Sequence, residues 1–170
     1  MNQRIQRMVG VTAAMALAGV LVQVDAQRRA PGQAQATQGI QTSLKVGTQP
    51  HQSNEPGKCT HAPVASIYQV VSQMWSVQQS SPGRSLSLTL WRPKDASADM
   101  LTLSLNAGEA SYDVNTVRGG EPAQGSAKVS FEKSGAGGTF TLDARTKDGR
   151  AISGTITCDA FAPHFAEGGL

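Results

Sequence analysis

The chain has 170 residues, 39% of them hydrophobic and 16% charged, with a formal net charge of +3. That length suits one core rather than several domains. A charge so nearly balanced lacks the clustered basic footprint of a nucleic-acid binder, and Ser, Thr, Gln and Gly supply most of the polarity.

Residues 1–26 read as a signal peptide. Arg4 and Arg7 make a basic start, Met8 to Val24 is almost wholly apolar, and Val24-Asp25-Ala26 offers a small-x-small cleavage site. Gly10, Thr12, Gly19 and Gln23 interrupt the apolar run, which makes it a poor permanent span of the roughly 20 residues a bilayer requires. The expectation is an exported protein, periplasmic or extracellular, with no stable membrane span after cleavage. Without Arg4, Arg7 and Asp25 the mature chain from Gln27 to Leu170 carries +2.

Residues 27–38 are Gln, Ala, Arg, Pro and Gly without period, which predicts a disordered linker. A single all-β domain is expected over 39–165, followed by a flexible tail over 166–170. Ile40, Thr42, Leu44 and Val46 fall in step as a first strand. Gly47 to Lys58, holding Pro50, Pro56 and Gly57, predicts a loop. Cys59 and His61 then open the core. The stretch from Pro63 to Trp75 carries two signals. Ile67, Val70, Val71 and Met74 have the i, i+3, i+4, i+7 spacing of a helical stripe, and Pro63 suits a first helical turn. Its Ile, Tyr, Val and Trp favour a strand. The spacing predicts one short helix over 64–73.

Beyond Trp75 the alternation is plain. Leu86, Leu88 and Leu90 form one strand and Leu101, Leu103 and Leu105 the next, as a hairpin that places both sets on one core face. Tyr112 and Val114, Val129 and Phe131, and Phe140, Leu142 and Ala144 continue the rhythm between glycine-rich turns. After Lys147-Asp148-Gly149 the last strand carries Ile152, Ile156 and Cys158 on one parity, with Gly154 between them. This pattern predicts an all-β fold: an antiparallel sandwich or partly open barrel of about seven to eight strands with one short helix. The two cysteines, Cys59 and Cys158, are expected to form one disulfide, since an exported chain meets an oxidising compartment and no C-x-x-C is present.

Catalytic and metal signatures are weak. His51, His61 and His164 lack the short fixed intervals of zinc ligands and read as solvated loop histidines. No G-x-S-x-G elbow is present, and Asp95, Asp99, Glu109, Asp113, Glu121 and Asp148 lie mostly in turns, where such side chains support the bend. Gly135 to Gly138 precedes a strand rather than a helix and reads as a flexible hairpin turn, not a phosphate cradle. No cofactor and no metal are implied. Trp91 stands out because its parity is opposite to that of Leu86, Leu88 and Leu90, so it leaves the core face and is available for binding, or else lies under the Pro63–Met74 segment or the tail. Phe161 extends the last strand's packing, and Phe165 is a plug or a docking residue. The leading function is a non-enzymatic binding or interaction domain with a protein, glycan or apolar ligand. The alternatives are a hydrolase of envelope polymers or glycans, and an inhibitor of a secreted enzyme.

Overall fold

A computed structural model describes residues 37–120 and 122–165. The expected signal peptide over 1–26, nearly all of the expected linker over 27–38, Glu121 and the expected tail over 166–170 lie outside these residues. The described chain forms eleven strands and no helix. They are β1 (Ile40–Val46), β2 (Gln49–Ser53), β3 (Gly57–Ile67), β4 (Val70–Ser81), β5 (Arg84–Pro93) and β6 (Met100–Ala107), followed by β7 (Ala110–Asn115), β8 (Ser126–Ser134), β9 (Gly137–Arg145), β10 (Ala151–Cys158) and β11 (Ala162–Pro163). Two sheets pack as a sandwich. One has the order β2-β1-β10-β9-β8 and the other β11-β3-β4-β5-β6-β7. All neighbours are antiparallel except β11, which pairs parallel to β3.

Three sequence expectations are corrected. The strand number is eleven, not seven to eight. The predicted helix over 64–73 is the tip of the β3–β4 hairpin, in which Ile67 lies opposite Val70 and Ser66 opposite Val71. A two-residue turn brings positions 67 and 70 together, so the i, i+3 spacing is met across a turn rather than along a helix. The predicted loop from Gly47 to Lys58 contains β2, a short edge strand paired only with β1. Pro50 is tolerated there because an edge strand has a side on which no N–H is needed.

The core is the inner faces of the two sheets. Leu86 lies opposite Leu105, Leu88 opposite Leu103 and Leu90 opposite Leu101, and all six are buried. From the other sheet come Ile40, Leu44, Phe140, Leu142, Ile152 and Ile156. Burial of each such side chain stabilises by about 1.5–3 kcal/mol.

The sheets cross steeply. On β4, Gln79 accepts a hydrogen bond from Thr42 of β1 at 3.1 Å, while Trp75 packs against Phe131 of β8 at 4.9 Å. Four residues of strand cover about 13 Å, and β1 and β8 lie three strand spacings apart, about 14 Å. Strand β4 therefore runs across the strands of the opposite sheet, as in orthogonal packing.

One corner of the sandwich is closed covalently. Cys59 and Cys158 form a disulfide with a Cα–Cα distance of 6.3 Å and a sequence separation of 99 residues. Closing a loop of that length stabilises by about 4–5 kcal/mol in the chain-entropy account. Four residues along from Cys158, β10 lies tight against β1. A Cβ on Gly154, whose φ is 136°, would collide with the Ser43 carbonyl oxygen, so only glycine fits there.

Candidate functional site

Trp91 leaves the core, as its parity predicts. It lies on the outer face of the six-stranded sheet, half-buried, between Met74 of β4 and Met100 of β6. Register places three rows side by side across that face. The first is Ala62–Met74–Trp91–Met100. The second is Thr60–Ser76–Thr89–Thr102, and the third is Lys58–Gln78–Ser87–Ser104. One apolar row thus borders two rows of hydroxyl, amide and ammonium groups. Ala62 and Met100 are fully buried without belonging to the main core cluster, which leaves Met74 and Trp91 as the partly exposed apolar centre of the row.

A cleft of about 310 Å³ is lined by Trp91, Met74, Thr89, Ser76 and Lys58, with His164 from the C-terminal segment at its side. A second cleft of about 460 Å³ shares Lys58 and Gln78 with it and runs on past Ser87 and Ser104 to Asn106. The two clefts, together the trough, adjoin at Lys58 and Gln78, and the second also reaches the inward-facing Gln79 and Leu86. The walls of the trough carry donors and acceptors, and the Asp and Glu side chains of the described residues lie elsewhere.

The histidines do not converge. Among the described residues no group of three or more His, Cys, Asp or Glu side chains could hold a metal ion. His51 and His61 are not solvated loop residues either. Each sits on a strand at a mouth between the sheets. His61 stacks on Trp75 at 4.7 Å, and Arg92 lies over the same indole at 5.6 Å. Burial holds the His61 pKa below 6.5, and the Lys133 charge adds to this against an opposing hydrogen bond with Gln73. His51 meets Tyr112 edge-on at 6.0 Å, and Arg150 lies over the other ring of that pair, Tyr112, at 5.5 Å. Burial and the Arg84 charge hold the His51 pKa below 6.5. The Nε2 atoms of both histidines are buried without a hydrogen-bond partner. Beside His51 lies a pocket of about 30 Å³, roomy enough for a water.

The carboxylates have structural partners. Asp95 accepts the Ser97 amide at 2.9 Å within the β5–β6 turn, and hydrogen bonds from Ser97 lower its pKa. Asp148 accepts from Thr146 and pairs with Arg150 at 3.0 Å, which lowers its pKa as well. Asp99 pairs with Arg92 at 3.0 Å, and Asp113 accepts from Ser111. Glu109 lies in the exposed β6–β7 turn. Gly137 and Gly138, expected in a flexible turn, are buried against the Cys158 carbonyl and the Phe131 ring. Phe161 packs edge-on against Phe131 and Phe140, whereas Phe165 is 94% exposed.

Sequence reasoning singled out Trp91 but not the rows beside it. Local pattern puts Lys58 at the end of a loop and Ser76 at the start of a strand, which gives no register between them and hides the face they share with Thr60 and Gln78. No protein-family profile, curated protein or solved structure matches this chain.

Proposed function

We propose that this is an exported, non-enzymatic binding domain whose ligand lies in the trough on the outer face of the six-stranded sheet. One observation carries the reading. A largely buried but still accessible indole stands in an apolar row next to a row of hydroxyl groups and, beyond it, a row of amide, hydroxyl and ammonium groups, along two adjoining clefts. Such a surface suits a short glycan, whose rings have apolar faces and hydroxyl edges. Binding sites commonly combine an aromatic wall with a few placed polar groups. The floor is built from paired strands, and β3 is tied to the opposite sheet through Cys59, so little ordering is needed on binding. Export is supported by the apolar Met8–Val24 run and by a disulfide of the kind that oxidising compartments allow.

The test is a glycan array probed with the wild-type protein and with Trp91→Ala. The expected result is a defined set of bound glycans whose signal disappears in the variant while its fold is retained. Binding that survives Trp91→Ala removes the trough as the site.

A further inference from the structure

The β3–β4 hairpin ends in a tip that lies outside both the main core and the trough. Pairing of β4 with β5 begins at Ser72, so Ser66 to Val71 extends past the neighbouring strand. Of the four exposed large hydrophobic residues among those described, three are here: Val64 at 39%, Tyr68 at 57% and Val71 at 50%. The segment from Cys59 to Gly83 contains no Asp, Glu, Lys or Arg. A monomeric soluble surface seldom leaves an uncharged apolar projection without a use.

The tip is also strained and supported. Tyr68 and Gln69 take φ values of 45° and 67°, where Asn-Gly would be the undemanding choice for a two-residue turn. Backbone strain of this kind persists only where the surroundings enforce it. Here the Tyr68 ring rests on Gly119 and Gly120 of the β7–β8 connection, and a Cβ on either glycine would crowd or strike the ring. The aromatic is therefore seated in advance at the apex of an apolar projection.

Two cations flank it. Lys94, whose amide donates to the Val71 carbonyl, begins the β5–β6 turn, and Arg118 donates to Ser97 and Ala98 on that same turn. Both are exposed. Asp99 is paired with Arg92, whereas the exposed Asp95 carboxylate accepts the Ser97 amide, keeps its charge and offsets part of that of Arg118, which leaves Lys94 as the less compensated cation.

From this arrangement we infer that the hairpin tip docks on an anionic lipid surface. Val64, Tyr68 and Val71 enter the interfacial layer, and Lys94 and Arg118 meet the headgroups. Tyrosine suits that depth, with an apolar ring and a polar end. A convex apolar tip with basic flanks gains from both apolar burial and headgroup charge, the two contributions that set peripheral membrane binding.

The test uses the full chain and vesicles of phosphatidylcholine with or without phosphatidylglycerol. In Tyr68→Trp the new indole should shift to the blue and be quenched by brominated lipid only when phosphatidylglycerol is present. A variant with Val64, Tyr68 and Val71 all changed to Ser, carrying the same N-terminal segment and melting as the wild type does, should partition at least about tenfold more weakly. Lys94→Gln should weaken binding to the anionic vesicles by about fivefold. Absence of quenching, or partition unchanged in the triple-serine variant, would overturn the inference. Shielding of the introduced indole by a protein in the absence of vesicles would overturn it in favour of a concave protein pocket.

Discussion

The outer faces of the two sheets are built alike and differ in one row. On the five-stranded sheet, register gives Gln41–Thr157–Thr139–Glu132, Ser43–Thr155–Thr141–Ser130 and Lys45–Ser153–Asp143–Lys128. All three rows are polar, as expected for the solvated side of an antiparallel sheet. On the six-stranded sheet, two rows are equally polar, but the third is Ala62–Met74–Trp91–Met100. The first face shows that this fold does not require apolar groups on its outside. In the second, burial accounts for Ala62 and Met100, but Met74 and Trp91 remain partly exposed, and that difference makes it the candidate binding face.

The comparison can be broken most severely by removing what both faces share. Replacing Cys59 and Cys158 together with Ala should cost about 2–5 kcal/mol, measured by denaturant unfolding against the oxidised wild type. Such a loss would impair both faces at once. Leu88→Ala and Leu103→Ala, each of a cross-strand pair beneath the trough, should cost about 2–5 kcal/mol for the same reason. A loss below about 1 kcal/mol would place these leucines outside a tight core.

The next pair of variants sharpens the difference between the faces. Trp91→Ala should cost about 1–2 kcal/mol, less than the roughly 3–5 kcal/mol of a fully buried aromatic, and should abolish binding. Thr141→Ala on the opposite face should change stability by no more than about 0.5 kcal/mol and leave binding intact. Equal effects of the two variants on binding would erase the distinction between the faces.

Acid provides the gentlest test, because it acts on the mouths between the sheets rather than on either face. His51 and His61 have folded-state pKa values below the ordinary 6.5. Just below that pH the unfolded chain binds more protons than the folded one. Stability is therefore full above about pH 6.5 and falls as pH drops through the window between 6.5 and the lowered values. Asp95 and Asp148, with pKa values below 3.8, add their loss only under about pH 4. Urea midpoints at pH 8 and pH 5 should differ in this direction, and His51→Gln with His61→Gln should flatten the difference. A midpoint that rises on acidification would contradict the lowered pKa of both rings.

Much of this fold could be read from local pattern. The leucine hairpin was legible because strand parity is a property of neighbouring residues, and Cys59 with Cys158 left only one pairing. Trp91's departure from the core followed from the same parity. The hairpin tip was not legible. Its turn is Tyr68-Gln69 rather than Asn-Gly, and residues 67 and 70 meet across that turn at a spacing that also fits a helix. Strand β2 was hidden by Pro50, which only an edge position admits.

The sequence by itself determined which residues share a face, because alternation is local and survives any arrangement of strands. Only the tertiary structure decided which faces meet, which strands lie at edges, and that His51 and His61 enter the mouths of the sandwich instead of standing in solvent. Those outcomes depend on the crossing of two sheets, and on contacts such as Thr42 with Gln79 or Trp75 with Phe131 that join residues far apart in the chain. The trough beside Trp91 is of the same kind. Its Lys58, Ser76 and Thr89 become neighbours only through the pairing of three strands, and no periodicity along one strand records which partner lies beside it.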